Sequence, residues 1–361
     1  MNKKKVAIVS NSLGKGGAER FAALLTFILE DSGFDVHSII VNNVVDYSYT
    51  GRLYNLEKES SGFLSVFRKL KKGILLHNYL VENNIQIVID SRTRNVLLRE
   101  LITKFIYRNT KTHYVIHSYN FQNYFPYSKF WAQFLYKDAE GLICVSKAIE
   151  EKVNRLYQFQ NTVTIYNPFF IPENELKKEV LESKKVILYF GRFDEKVKNF
   201  TLMLEAFSLS KVYEKGYRLH LLGTGNDLNF IQQKIKELDL INYVQIFPFK
   251  ENPFNEVRRA KFTILTSRFE GFPLSVVESL AVGTPVIAVD CNSGPREIIQ
   301  NEFNGLLVEN HNSNALAKAI NRLANEEELY HFCKNNAVES VKHLSLNTIS
   351  EQWKNLLTRP K

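Results

Sequence analysis

Short apolar runs, each closed by a small or polar turn, alternate along this chain with longer segments whose apolar residues fall three and four apart. The first run, KVAIVSNS at 5–12, predicts a strand that leads through Gly14, Gly16 and Gly17 into a helix over 18–30. DVHSIIVN at 35–42 predicts a second strand, the polar segment 43–62 a loop, and 63–82 a helix. The alternation continues with a strand at 85–91 ending near Asp90, a helix at 95–107, and a strand at 111–118 ending at His117. A strand at 140–146, a helix at 147–157 and the run TVTIYNP at 162–168 complete this half, and Asn167-Pro168 opens a polar link at 171–184.

The pattern then restarts. KVILYFGRFDEKVKNF at 185–200 predicts a strand and turn before a helix at 200–213, and YRLHLLGTGND at 217–227 predicts another strand with a turn at Gly223 and Gly225. Strands at 243–249 and 262–265 flank a short helix at 252–260. Thr266–Gly271 reads as a turn, and Pro273 as the first position of a helix carrying Glu278, where a missing N–H is harmless and the next N–H groups point outward. VIAVDCNSGPREII gives a strand, a turn and a helix near Pro295, and helical spacing at 313–325, 327–341 and 346–357 ends the chain. Strands alternating with helices in both halves predict an α/β fold with two parallel sheets and ligands at the strand C-terminal ends.

Composition narrows the class. At 361 residues, 45% hydrophobic and 24% charged, the chain fits two soluble globular domains. The run after MNKKK is too short for a signal segment, which predicts a cytosolic protein. Cys144, Cys291 and Cys333 are far apart and match no zinc or dithiol spacing, so they read as buried thiols. No D-x-D occurs and no metal is indicated.

Charge is uneven. Residues 1–168 carry 22 Lys/Arg against 14 Asp/Glu, net +8, whereas 169–361 carry 25 against 24, net +1. The excess gathers in FRKLKKGILLHNYL at 67–80 and RELITKFIYRNTK at 99–111, where basic residues interleave with apolar ones. Solvated helix faces explain each segment, and so does an anionic surface. The stretch 119–137 is densely aromatic, which suits core, an acceptor groove or a wedge at a membrane interface.

Candidate chemistry lies at the strand ends. The glycine spacings at 14–19 and 223–228 fit neither the dinucleotide fingerprint nor the P-loop, which disfavours an NAD oxidoreductase. Arg192 directly after a strand and Lys198 at the next helix start are placed to hold a diphosphate. Glu270 in the turn and Glu278 on the helix can face one cleft, although two solvated glutamates account for the same residues.

Taken together, GGAER at 16–20, GRFDEKVKNF at 191–200, LLGTGND at 221–227, EGFPLSVVESLAVGTPVI at 270–287 and DCNSGPREII at 290–299 resemble the retaining glycosyltransferases of family 4. That resemblance implies the GT-B architecture, two Rossmann-like parallel-sheet domains facing a central cleft. It implies an acceptor domain at 1–168, a nucleotide-sugar domain at 169–343 and a C-terminal helix at 344–361 returning toward the first. It further implies transfer of a hexosyl or N-acetylhexosaminyl group from a nucleotide-sugar, a UDP-sugar by this reading, as co-substrate and without a metal cofactor. By the family pattern Glu270 and His117 contact the donor sugar, Glu278 the ribose, and Arg192 and Lys198 the diphosphate. Gly16, Gly17, Gly223, Phe272, Leu274 and Ser275 complete the donor site.

Two positions depart from the family pattern. One extra residue between arginine and lysine leaves Lys196 and Lys198 as alternative candidates for the phosphate ligand, and Pro273 replaces a frequent glycine. The acceptor implied is a saccharide or lipid-linked saccharide of bacterial surface polysaccharide or lipopolysaccharide, with the protein cytoplasmic and in peripheral contact with the anionic inner membrane face. No nucleic-acid partner is implied. An inactive partner or glycan-binding protein of the same fold, or a sugar-nucleotide epimerase, are the competing readings.

Overall fold

The computed structural model describes residues 3–14, 16–62, 65–172 and 185–359; Lys15 of the first glycine turn and residues 173–184 of the polar link lie outside the described residues. The chain divides into two compact units, one of Met1–Pro168 with Leu346–Lys361, the other of Phe169–Ser345.

The first unit holds strands β1 (Lys5–Ser10), β2 (Asp35–Ile40), β3 (Arg52–Asn55), β4 (Ile87–Asp90), β5 (Lys111–Ile116), β6 (Gly141–Cys144) and β7 (Thr162–Thr164). They pair in parallel in the order β3-β2-β1-β4-β5-β6-β7. Val6 of β1 stands opposite Val36 on one side and Ile87 on the other. Helices cover both faces of such a sheet, which is why β4 and β6 are buried along their whole length and read as continuous apolar runs. The helix Leu346–Thr358 joins this unit by packing on the helix Gly17–Asp31. Trp353 is fully buried with its ring 6.0 Å from that of Phe21, and the Ser32 and Ser350 hydroxyls are 3.3 Å apart.

The second unit holds β8 (Val186–Arg192), β9 (Arg218–Thr224), β10 (Val244–Phe247), β11 (Phe262–Leu265), β12 (Val286–Asp290) and β13 (Gly305–Glu309). Their order is β10-β9-β8-β11-β12-β13, again parallel, with Ile187 of β8 between Leu219 and Phe262. The helices Phe200–Ser210 and Ser313–Asn325 pack together over this sheet through Leu204, Phe207, Leu316 and Ile320. Each such buried side chain contributes ~1.5–3 kcal/mol.

Some elements differ from the sequence expectation. The segment 43–62 is not all loop: it contains β3 and a short helix, Leu56–Glu59, capped by the Asn55 side chain. β13 also escaped the periodicity reading. Both are edge strands, short and only partly buried; β3 (RLYN) has polar residues at both ends, and β13 (GLLVE) is a short apolar run of three large residues. Pro273 is the N-cap with ψ 100°, not the first helical residue, and the helix runs Leu274–Ala281.

In both sheets the chain reverses its direction of travel beside a central strand, at β1/β4 in the first and β8/β11 in the second. Such switch points open a crevice at the strand C-terminal ends, where side chains from two loops converge.

Candidate active site

In the second unit, β8 ends on Arg192 and β11 runs into the turn Thr266–Gly271. Two neighbouring turns are fastened there. Thr266 Oγ1 donates to the carbonyls of Lys198 and Asn199 at 2.8 and 3.2 Å, and Arg268 N donates to Val197 O at 2.8 Å. The Arg268 guanidinium also meets Glu195 at 3.2 Å.

Local capping shapes the facing turn. Asp194 accepts from Val197 N, and Asn199, with φ 55°, accepts from Leu202 N to start the next helix. The outcome is that Lys198 Nζ lies 2.6 Å from Glu270 Oε1, which also accepts from Ser267 Oγ at 2.6 Å. Both charged side chains are mostly buried, whereas Lys196 points to solvent. Arg192 stands nearby in sequence with a half-exposed side chain, its guanidinium 3.4 Å from Asp194.

The helix start at Leu274 has no side-chain cap. The loop after β12 packs onto it: Ser293 Oγ donates to Gly271 O at 2.8 Å, and Gly294 sits at φ 93° where a β-carbon would strike Pro273. Phe272 is buried, and Leu274 and Ser275 are half-buried. Glu278 is buried on the helix among apolar residues. Cys291 is buried as well, and burial followed by the nearby Glu270 charge pushes its thiol up to about 12.

Gly223 needs its missing side chain for a reason the sequence did not show. A β-carbon there would run into the Gly191 carbonyl of the paired strand and the Phe193 ring, and one at Gly225 into the Phe193 backbone.

In the first unit, Gly16 is the extended N-cap of the helix Gly17–Asp31, without a side-chain cap, and a β-carbon at Gly17 would meet nothing within 4 Å. His117 directly follows β5. Its Nε2 is 2.8 Å from Ser91 Oγ, its ring makes an edge contact with Phe21 at 4.8 Å, and its Nδ1 is buried with no partner among the described residues. Burial, helped by the Arg94 charge, pushes the imidazole down to about 3, so it is neutral in the physiological range.

Asp90, at the end of β4, belongs to a buried charge cluster. The Arg92 guanidinium reaches its carboxylate at 3.0 and 2.5 Å, and Tyr107 donates at 3.1 Å. Burial works to raise this carboxyl, and Arg92 more than offsets it. Arg94 is nearly fully buried, donates to the carbonyls of Arg92 and Val115, and lies over the rings of Tyr114, Tyr124 and Tyr136. The arginines two and four residues beyond Asp90 in SRTR were the sequence signal for this cluster; the strand-end position alone did not show it.

The aromatic stretch splits. Phe121, Tyr124, Phe125 and Tyr136 are buried, whereas Tyr127, Phe130 and Phe134 are exposed. Tyr119, Phe121, Phe125, Lys152 and Tyr157 line a cavity of about 380 Å³, with Lys152 Nζ 3.6 Å from the Tyr119 ring centre.

Residues 171–340 match the family model for glycosyl transferases group 1. Over 94% of this chain and 95% of its own length, the N-acetylgalactosamine-N,N'-diacetylbacillosaminyl-diphospho-undecaprenol 4-alpha-N-acetylgalactosaminyltransferase of Campylobacter jejuni is 29% identical. The chain is a GT-B glycosyltransferase. The lipopolysaccharide 1,6-galactosyltransferase of Salmonella typhimurium is 24% identical over 90% of this chain and 91% of its own. A solved structure of S. aureus TarM in complex with UDP has the same fold as this glycosyltransferase, with TM-score 0.81, 16% identity and coverage of 99% and 100% of the two chains. Anabaena HepE in complex with UDP and glucose superposes with TM-score 0.77 at 17% identity, covering 98% and 99%. The matched family segment of the glycosyltransferase contains Arg192, Lys198, Glu270 and Glu278.

Proposed function

We propose that this glycosyltransferase moves a hexosyl or N-acetylhexosaminyl group from a UDP-sugar, with retention at the anomeric carbon, to a saccharide or lipid-linked saccharide in bacterial surface glycan synthesis. The observation that carries the reading is the Lys198–Glu270 pair at 2.6 Å, in the turns that follow β8 and β11 at the switch point of the second sheet. In this reading the bond between the anomeric carbon and the β-phosphate oxygen breaks, the acceptor hydroxyl bonds to the same face of the sugar, and its proton passes to the departing diphosphate. Arg192 and Lys198 meet the charge that develops on that diphosphate, in place of a metal ion. Glu270 holds the sugar and orients Lys198, and Glu278 takes the ribose hydroxyls. Within the second unit, the backbone at Phe272, Leu274 and Ser275 and the turn at Gly223 line the donor. The mostly buried position of Lys198, held to Glu270, favours it over the exposed Lys196 as the phosphate ligand.

The C. jejuni relative, by its name, acts on an undecaprenol diphosphate-linked saccharide, and TarM and HepE were solved with UDP; both support the donor and acceptor classes proposed. The aromatic cavity around Tyr119 and Lys152 suits a sugar, whose C–H faces stack on rings, and is assigned to the acceptor. A membrane-borne acceptor places the protein in peripheral contact with the inner face of the cytoplasmic membrane.

The test is product analysis with a panel of UDP-sugars and lipid-linked acceptors, with chelator present. Release of UDP coupled to a new glycoside of retained configuration supports the reading. Inverted product, or turnover unaffected by Arg192→Ala, overturns it.

A further inference from the structure

The helices Ser65–Glu82, Leu97–Ile106 and Lys129–Tyr136 follow β3, β4 and β5, and each leads to the next strand in one direction across the sheet. Right-handed crossovers therefore put all three on the same face. They are neighbours: Gly73 packs beside Ile106, and Lys104 donates to Leu135 O at 3.3 Å, with its ammonium 5.6 Å from the Phe134 ring centre.

The orientation of the middle helix is inverted relative to a solvated one. Glu100 and Thr103 face inward, 2% and 3% exposed, while Leu98, Ile102 and Phe105 are 69%, 42% and 63% exposed. The inward turn of Glu100 follows from the charges beneath it: burial raises its carboxyl, and Arg92 opposes that rise. Phe67, Leu70 and Ile74 form an exposed stripe on the first helix, about 60° wide at the helical repeat, opposite the buried Leu76 and Leu80. Phe130, Trp131 and Phe134 form a third on the last helix, in edge contact with one another.

Basic residues border these stripes. Lys69 adjoins Leu70, the Arg108 guanidinium lies 3.9 Å from the Phe105 ring centre, and Lys129 and Lys137 flank the aromatic helix. Lys72 does not take part, because its ammonium turns inward to the Val41 carbonyl at 2.6 Å. A second copy of the chain seated here would set two cationic borders against each other. Anionic lipid headgroups complement the border, and the acyl boundary complements the stripes.

We propose that the outward faces of these three helices form the docking surface for an anionic lipid bilayer, into whose interface Leu98, Phe105, Phe130 and Trp131 insert. This names the membrane partner's contact surface and rests on the reading that the acceptor is membrane-borne.

The two tryptophans make the test direct. Trp131 lies on the proposed face and is 36% exposed, whereas Trp353 is fully buried, so a change in emission on binding reports Trp131. The full chain is sedimented with vesicles of phosphatidylcholine alone and with about one third phosphatidylglycerol. Wild type is expected to bind the anionic vesicles, with blue-shifted emission and quenching by brominated acyl chains. Leu98→Ser/Phe105→Ser/Phe130→Ser, all at exposed positions, is expected to lower the partition at least roughly tenfold with an unchanged Tm. Transfer to a water-soluble acceptor is followed separately, so loss of docking and loss of the catalytic reading are told apart.

Wild type that stays in the supernatant with both vesicles overturns the proposal. So does binding without brominated-lipid quenching, or a triple variant that binds like wild type. Concentration-dependent dimerisation of wild type that the triple variant abolishes assigns the face to a second copy instead.

Discussion

Lys198 Nζ and Glu270 Oε1, 72 residues apart, meet at 2.6 Å because Thr266 ties the turn after β11 to the turn after β8. Two mostly buried opposite charges at this distance act as a unit. Lys198→Ala and Glu270→Gln are each expected to lower kcat/KM, and the double variant to lose less than the product of the two. A coupling on the order of 1–3 kcal/mol is the expected size. A double-mutant cycle on kcat/KM checks this, and strict additivity would show that the pair does not operate together.

Arg192 is different, since its side chain is 58% exposed and its partner Asp194 is 3.4 Å away. Arg192→Ala should therefore leave Tm nearly unchanged, as surface substitutions do within about 0.5 kcal/mol. It should still cut kcat by at least roughly 100-fold, the scale of losing one preorganised charge contact. Steady-state kinetics beside a thermal melt separate the two effects.

Two glycines of similar sequence context should respond in opposite ways. Gly223→Ala forces a β-carbon into the Gly191 carbonyl and should destabilise the second unit by more than ~2 kcal/mol. Gly17→Ala meets open space at a helix start and should leave Tm unchanged or slightly raised. If the donor approaches that turn closely, KM for the donor rises in Gly17→Ala alone, which donor titration measures.

Asp90→Asn removes the carboxylate that Arg92 clamps and leaves two buried guanidinium groups without it. Breaking a buried pair in this way costs about 3–5 kcal/mol. Chemical denaturation of the full chain should show a matching loss.

Burial also sets a pH dependence. Burial, with a smaller contribution from the Lys111 charge, pushes His113 from 6.5 to about 4, and His117 falls to about 3. Between these folded values and 6.5 the unfolded chain binds more protons, so stability rises with pH and is lost as pH falls through that window. Tm should drop between about pH 7 and pH 4.5, and His113→Gln should flatten the drop. A Tm profile as steep in the variant as in wild type counts against His113 as a cause.

The α/β alternation was legible because inner parallel strands such as β4 and β11 are buried along their length and mostly apolar, and a run closed by a turn is a clear signal. β3 and β13 were not: RLYN has polar residues at both ends, and GLLVE offers three large apolar residues, too short a run to mark a strand. The positions of Arg192, Lys198 and Glu270 could be read from strand ends, but not their pairing, which depends on the Thr266 hydrogen bonds across 68 residues. The inward turn of Glu100 was equally hidden. Helical spacing reveals that a helix has two faces, and only the buried charges beneath it decide which one points out.

The first unit begins at the N-terminus, is interrupted at Pro168 and is completed only by Leu346–Thr358, with Trp353 closing over Phe21. During synthesis the second unit, a continuous stretch of chain, can be finished while the first still lacks its last helix. At ~5–20 residues per second the wait is on the order of ten seconds or more. For that interval the apolar surface around Phe21 has no cover, which makes it a natural place for a chaperone to bind the nascent chain and makes loss of the final helix a defect of the first unit rather than of the tail.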